Sequence, residues 1–233
     1  MLSAQSTTLT GQGVRVAIID SGVNPAHPHV GGVVGGIGLS ASGSSENYLD
    51  YLGHGTAVAG AIREKAPDAL LFAVKVFDQS LRTNAATILR ALDWAIDNQM
   101  DVVNLSLGTF NQSYRNQFED IVARATERNV MIVAAHETAG QLLLPGCLPN
   151  VLAVELDGDC PRATFRVKPN GTKTIFLASG YPRSLPGVKP EQNLNGISFA
   201  VANLTGFVAR ARQAIPSGTL AQIEKLLINE SAF

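Results

Sequence analysis

The sequence is poor in cysteine, in charged residues and in long apolar runs. Its two cysteines, Cys147 and Cys160, exclude a disulfide-rich fold, and two free thiols are a better interpretation than a single bridge. A formal net charge of −1 gives no overall attraction for nucleic acid or for an anionic membrane surface. The longest apolar runs, such as Val14–Ile19 and Val130–Ala135, are too short to span a bilayer. We therefore expect neither a nucleic-acid partner nor a membrane partner.

The sequence pattern also lacks a secretory signal and a domain boundary. Met1–Gly13 is polar and has no positive charge followed by an apolar stretch, so, with so few cysteines, we expect a cytoplasmic protein. The 233 residues, 45% of them hydrophobic, suit a single domain over residues 1–233 with a substantial core. The glycine- and serine-rich segment Gly31–Ser45 is predicted to be a mobile surface loop.

Apolar runs of strand length alternate with stretches of helical periodicity along the rest of the chain. The predicted strands are Val14–Asp20, Leu70–Val76, Val102–Leu105, Val130–Ala135, Val151–Glu155 and Thr174–Ala178. The predicted helices are His54–Lys65, Asn84–Asn98, Tyr114–Arg128, Ser198–Arg212 and Leu220–Asn229. This alternation is typical of a mostly parallel sheet with helices on both faces.

Three segments place a reactive side chain where an element begins or ends. They are Val16–Val23, Gly53–Gly60 and Asn195–Gly206. Asp20 ends a buried strand at the sheet edge where α/β proteins bind ligands, although an aspartate there also caps turns. His54 begins a helix of small residues, where a capping or core histidine is the alternative. Ser198 begins a second such helix, whose unpaired amides and dipole favour an oxyanion, although serine is also a common N-cap.

Together, the stretches VAIIDSGV, GHGTAVAG and NGISFAVANLTG resemble the three motifs of the subtilisin-like serine proteases. They occur in the order Asp, His, Ser, which is the order found in subtilisins. Further similar stretches are Ala73–Val76, Trp94–Ile96, Asp101–Gly108 and Leu144–Gly146, so the resemblance covers about residues 11–215. It implies a three-layer α/β fold with a mostly parallel central sheet, and the activity of a serine endopeptidase on peptide or protein substrates.

The resemblance also implies a catalytic triad and a binding edge for the substrate. Asp20 is expected to orient His54, which takes the proton of Ser198 as this serine forms an acyl-enzyme. The substrate-binding residues are expected to be Ser106, Leu107 and Gly108, which pair with an extended peptide, and Val133, Ala134 and Ala135, which line the first specificity pocket.

The sequence departs from the family where a second oxyanion donor is expected. The family carries an asparagine just after the strand that corresponds to Val130–Ala135, whereas this chain has His136 there. An imidazole can also donate a hydrogen bond, and it donates best when protonated. Ile197 and Ala202 replace a threonine and a proline near Ser198. The loop that helps secreted subtilisins to hold calcium is shorter here, and no acidic cluster replaces it. We therefore expect no metal and no cofactor.

Two other functions compete with that of a protease. A pseudoprotease would keep the fold as a peptide-binding or scaffolding partner with a defective oxyanion hole. An unrelated esterase is disfavoured, because such enzymes carry a Gly-x-Ser-x-Gly motif and the order Ser, acid, His. As a protease, the short chain with its altered site fits the dedicated processing of a precursor peptide. The sequence does not indicate an oligomeric state.

Overall fold

The computed structural model describes residues 9–231; most of the Met1–Gly13 segment and both ends of the predicted 1–233 domain lie outside the described residues. The strands are β1 (Arg15–Asp20), β2 (Gly35–Ser40), β3 (Gly43–Ser45), β4 (Leu70–Lys75), β5 (Val102–Leu105), β6 (Met131–Ala135), β7 (Glu137–Thr138), β8 (Gln141–Leu142), β9 (Leu152–Leu156), β10 (Arg166–Asn170) and β11 (Lys173–Ala178). The α-helices are α1 (His54–Lys65), α2 (Ala85–Asp97), α3 (Arg115–Glu127), α4 (Ile197–Ala214) and α5 (Leu220–Glu230).

Within the described residues, nine of the strands form one sheet in the order β10-β11-β9-β6-β5-β1-β4-β2-β3. All neighbours in its centre are parallel, and only the edge pairs β10–β11 and β2–β3 are antiparallel. Strands β7 and β8 form a separate hairpin. The carboxyl ends of β1, β5 and β6 therefore lie side by side at one edge of the sheet.

In the described part of the chain, two hydrophobic cores lie on opposite faces of the sheet. Along β1, Val16 and Ile18 face the core that contains α1, α4 and α5, whereas Ala17 and Ile19 face the core that contains α2 and α3. Successive side chains of a strand point to opposite faces, and a strand buried on both faces is apolar throughout. The predicted layered architecture of helix, sheet and helix is confirmed.

The predicted mobile loop Gly31–Ser45 is wrong, because this segment contains β2 and β3 and pairs with β4. Its glycines allow close packing: a Cβ on Gly36 would lie 2.2 Å from the Ala73 carbonyl oxygen, and one on Gly38 2.5 Å from that of Asn47. A glycine-rich composition was therefore a poor guide to mobility here.

The remaining predicted elements agree with the structure to within a few residues at their ends, and Asn84 caps α2 by accepting from the Thr87 amide. Helix α4 begins at Ile197, one residue before the predicted start. Both cysteines are free thiols, as expected. In the described part of the chain, no helix has the length and apolar character required to cross a membrane.

Candidate active site

Asp20 occupies the last position of β1 and is completely buried. Its Oδ1 accepts hydrogen bonds from the Ser21 amide at 2.7 Å and pairs with His54 Nδ1, also at 2.7 Å. Its Oδ2 is buried and has no hydrogen-bond partner among the described residues. A carboxylate in this position fixes the imidazole with its hydrogen on Nδ1, which leaves the Nε2 lone pair available as a base.

His54 is the first residue of α1, and a close backbone contact brings it to Asp20. The preceding Gly53 has a φ of 83°, in the left-handed region that glycine adopts without strain. A Cβ on Gly55 would lie 2.1 Å from the Gly22 carbonyl oxygen and 3.2 Å from Asp20 Oδ1. The helix can approach β1 this closely only because position 55 has no side chain.

Asp50, which sequence analysis did not single out, holds the start of α1 in place. Its two carboxylate oxygens accept five hydrogen bonds, from Ser21 Oγ, the Leu52 amide, the Gly53 amide, the Thr56 amide and Thr56 Oγ1, at 2.6–2.9 Å. Ser21 Oγ in turn accepts from the Gly55 amide at 2.9 Å. An aspartate four residues before His54, just ahead of a helix start, was the available sequence signal.

The two carboxylates determine how readily His54 is protonated. Burial lowers the pKa of His54, but the hydrogen bond and charge of Asp20 and the charge of Asp50 outweigh it, so this pKa lies above its ordinary value of 6.5. Burial also opposes ionisation of Asp50, but hydrogen bonds from Thr56, Leu52 and Gly53 hold the pKa of Asp50 below 3.8. Asp50 is therefore a fixed negative charge near the imidazole at neutral pH.

Ser198 lies in the first turn of α4, where backbone amides have no partner inside the helix. Ser198 Oγ donates a long hydrogen bond of 3.4 Å to the Ser106 carbonyl, and Ser106 Oγ donates to the Ser198 carbonyl at 3.3 Å. The neighbouring Phe199 ring contacts the His54 ring, with centroids 5.4 Å apart. Within residues 9–231, no hydrogen bond joins Ser198 Oγ to His54. The structure therefore places the serine beside the Asp20–His54 pair, but the hydrogen bond between serine and histidine is not formed.

The predicted substrate-binding residues lie at the carboxyl ends of β5 and β6, at this same edge of the sheet. Ser106, Leu107 and Gly108 follow β5, and the chain then pairs with the segment after β8, since the Thr109 amide donates to the Leu144 carbonyl at 3.0 Å. Val133, Ala134 and Ala135 belong to β6, and their buried side chains pack into the cores on alternate faces of the sheet. A Cβ on Gly146 would lie 1.8 Å from the Ala135 carbonyl oxygen, so the Gly146 backbone lies against the end of β6.

His136, the predicted second oxyanion donor, is buried and already has a partner. Its Nδ1 lies 2.9 Å from Glu155 Oε1 on β9, and Lys168 also forms an ion pair with Glu155. No hydrogen bond connects His136 with Ser198 in the described chain. The role of His136 as an oxyanion donor stays a prediction.

One side-chain cluster in the described residues could hold a metal ion. His136, Glu137 and Glu155 each offer a ligand atom, and these atoms lie within 4.8 Å of one another. Imidazole and carboxylate ligands suit Zn²⁺, but Lys168 already neutralises part of the charge of Glu155. The sequence could not indicate this cluster, because Glu155 is brought to His136 by the pairing of β6 with β9. The expectation that the chain holds no metal stays a prediction.

Comparison with known proteins gives consistent matches over nearly the whole chain. Residues 11–232 match the model of the subtilase family. Subtilisin Savinase of Lederbergia lenta is 34% identical over 239 residues, which cover 97% of this chain and 86% of that protein. An alkaline protease of Alkalihalobacillus alcalophilus is also 34% identical over 239 residues, covering 97% of this chain. The chain spans only 61% of the length of that alkaline protease.

The crystal structure of a cold adapted subtilisin-like serine proteinase has a similar fold. The TM-score is 0.75 at 22% sequence identity, and the match covers 96% of this chain and 86% of that one. This likeness confirms the predicted three-layer α/β fold. Because the family model and the relatives at 34% identity both extend over nearly all of the sequence, this chain belongs to the subtilase family.

Proposed function

We propose that this chain is a serine endopeptidase in which Asp20, His54 and Ser198 form the catalytic triad. The observation that carries the proposal is the 2.7 Å contact between His54 Nδ1 and buried Asp20, formed beside the helix turn that bears Ser198. A buried carboxylate that orients an imidazole is the arrangement that makes a serine hydroxyl nucleophilic. Membership of the subtilase family supports the same chemistry.

Catalysis begins with a rotation of the Ser198 side chain. The hydroxyl leaves the long hydrogen bond to the Ser106 carbonyl and turns to His54 Nε2, a change between staggered rotamers. Catalytic hydrogen bonds are commonly long or absent before substrate binds, so this rearrangement is ordinary for such a site. An extended peptide that pairs beside Ser106–Gly108 would occupy the space next to the hydroxyl.

Peptide hydrolysis then proceeds in two steps. Ser198 Oγ forms a bond to the peptide carbonyl carbon as His54 takes its proton, and His54 passes that proton to the leaving amine when the C–N bond breaks. Water attacks the acyl-enzyme with His54 again acting as base, which releases the acid and restores Ser198. The Ser198 amide, at the positive end of α4, stabilises the oxyanion in both steps.

Processing of a particular precursor peptide is the narrower form of this proposal. Its support is the departure of the site from the family at His136, Ile197 and Ala202. A protease with an altered oxyanion hole fits one preferred substrate better than general protein turnover.

A fluorophosphonate probe tests the proposal directly, because it reacts with a serine only when an adjacent base activates it. We expect the wild-type chain to be labelled and to cleave a peptide library, and Ser198→Ala to show neither property. Asp20→Asn should retain the fold and lose about 10⁴-fold in turnover, because the imidazole is then held in the wrong tautomer. A folded wild-type protein that takes no label and cleaves no peptide would show that the site is inactive.

A further inference from the structure

A cavity of about 470 Å³ opens beside the first turn of α1. One wall is formed by Gly53, Thr56 and Ala57, which flank His54 in the sequence. A second wall includes Asn193 and Leu194, a few residues ahead of Ser198. Both walls therefore come from the segments that carry the base and the nucleophile, and the cavity borders the candidate active site.

The cavity lies on the opposite side of the triad from the predicted binding edge. Helix α1 packs on β1, whereas α4 packs on β5, β6 and β9, and the sheet order in this region is β6-β5-β1-β4. The Ser106–Gly108 edge continues β5, on one side of Ser198, and the cavity lies beside α1, on the other. If the residues before the cleaved bond pair with the β5 edge, the residues that follow the bond cross Ser198 and enter the cavity.

Part of the cavity lining offers unused hydrogen-bond donors to a carboxylate. Arg183 contributes a guanidinium group that donates only a long hydrogen bond of 3.4 Å, to the His29 carbonyl, and no carboxylate within residues 9–231 forms an ion pair with it. His27 accepts from the His29 amide through Nδ1 at 3.2 Å, so a neutral His27 carries its hydrogen on Nε2 as a further donor. Asp50 also lines the cavity and keeps its negative charge, but its oxygens are directed at the five donors described above, so Arg183 supplies the charged donors that are not already used.

The rest of the lining suits the aliphatic part of a side chain. Pro182, Leu185 and Leu194 contribute apolar surface, and Leu185 and Leu194 remain 40% and 51% exposed, so their surface is available to a ligand. A guanidinium beside apolar groups matches a short acidic side chain, because its planar donors bind a carboxylate in a bidentate manner.

We propose that this cavity is a specificity pocket for an aspartate or glutamate that follows the cleaved bond, and that Arg183 recognises its carboxylate. The inference rests on the proposed endopeptidase function and names the substrate class that this site prefers.

Internally quenched peptides can measure this preference. The peptides share one sequence before the cleaved bond, which is taken from the best cleavage site in a digest of denatured casein. If no digest product forms, a polyalanine sequence is used instead. Each of the three positions after the bond is occupied in turn by Glu, Gln or Lys. We expect kcat/KM to be about tenfold higher for Glu than for Gln at one of these positions, and lower still for Lys. In Arg183→Gln the Glu and Gln peptides should agree to within about twofold, whereas the exposed control Arg128→Gln should keep the wild-type ratio.

Binding to Ser198→Ala separates this proposal from the proposed function. If the wild type cleaves Glu and Gln peptides equally, or if Arg183→Gln retains the preference, the acidic pocket is refuted while the endopeptidase function stands. If the wild type cleaves no peptide, the endopeptidase function is refuted, and fluorescence anisotropy decides the pocket. Tighter binding of the Glu peptide by Ser198→Ala, lost in Ser198→Ala/Arg183→Gln, supports the pocket, and equal binding of both peptides overturns it.

Discussion

At the scale of single residues, the imidazole of His136 is already hydrogen-bonded to Glu155 before any substrate binds. With its hydrogen on Nδ1, His136 donates to Glu155 Oε1, and a neutral ring then carries a lone pair on Nε2. Such a ring cannot donate a second hydrogen bond. His136 can therefore serve an oxyanion only as the imidazolium, which donates through both nitrogens.

The prediction for His136 concerns turnover. If the imidazolium stabilises the oxyanion, His136→Ala should lower kcat by about 100- to 1000-fold with little change in KM, the range known for an oxyanion-hole donor of subtilisin. His136→Asn, which restores the residue expected from the family, should recover most of this loss. Steady-state kinetics of the two variants and the wild type measure both effects.

The exposed Thr138→Ala, two residues along, serves as the control for changes in the hairpin. An unchanged kcat in His136→Ala would remove His136 from the mechanism.

The sequence was informative for residues that lie within local motifs and uninformative for their distant partners. Asp20, His54 and Ser198 each stand at the end of a recognisable element, so their positions at one sheet edge could be predicted. Asp50 meets Ser21 across 29 positions, and Glu155 meets His136 across 19. Contacts of this kind follow from strand pairing and helix docking, which local pattern does not specify.

At the scale of elements, Asp50, the amides at the start of α1 and His54 form one electrostatic unit. Asp50 binds the amides of this turn, and its charge reaches His54, so the same carboxylate both shapes the helix start and raises the pKa of the base. A negative charge at a helix N-terminus is favourable because it meets the unpaired amides and the positive end of the dipole.

The prediction for this unit concerns pH dependence. In Asp50→Asn the pKa of His54 should fall, so the neutral base persists to lower pH and the acidic limb of kcat/KM moves to lower pH. Because hydrogen bonds hold the pKa of Asp50 below 3.8, its stabilising contribution is present above that pH and is lost as the pH falls through the lowered value. Asp50→Asn should therefore lose about 1–3 kcal/mol of unfolding free energy at neutral pH.

A pH–rate profile and denaturant unfolding measure these two effects, and the exposed Asp159→Asn provides the matched control. An acidic limb that stays in place or moves to higher pH would show that Asp50 does not act on His54.

At the scale of the whole molecule, the carboxyl ends of the central strands form the candidate site, whereas the contacts at their amino ends contribute to stability. The buried guanidinium of Arg212, near the end of α4, donates to the Gly218 carbonyl at 2.7 Å and the Asn129 carbonyl at 3.0 Å, and lies 3.5 Å from Asp101 Oδ1. Asp101 and Asn129 lie just before β5 and β6, so this contact joins α4 to the starts of the strands whose carboxyl ends form the candidate site.

Arg212→Met should therefore reduce stability without reducing activity. The buried carbonyls lose their donor, which should lower the unfolding free energy by about 1–3 kcal/mol, while kcat/KM stays within about twofold of the wild-type value. Urea unfolding and peptide cleavage test the two parts, with the exposed Arg128→Met as the control. A large loss of kcat/KM in the folded variant would contradict this division between the two ends of the strands.

Most of the architecture could be predicted because its central strands are buried on both faces and are therefore apolar throughout. The strands that were not predicted from the sequence are those that lack a continuous run of apolar residues. Strands β2 and β3 are built largely of glycine and serine, and β10 is an exposed edge strand that contains lysine and proline. Such strands form because neighbouring strands offer hydrogen bonds and space. These contacts exist only in the assembled sheet, so the local sequence does not predict them.

The position of β1 has a consequence for how the protein tolerates heat. Its alternate side chains are embedded in both hydrophobic layers, and the same strand terminates in Asp20. The carboxylate is consequently anchored by a strand that is buried on both of its faces. Thermal inactivation should then coincide with global melting, so that residual activity reports the folded fraction.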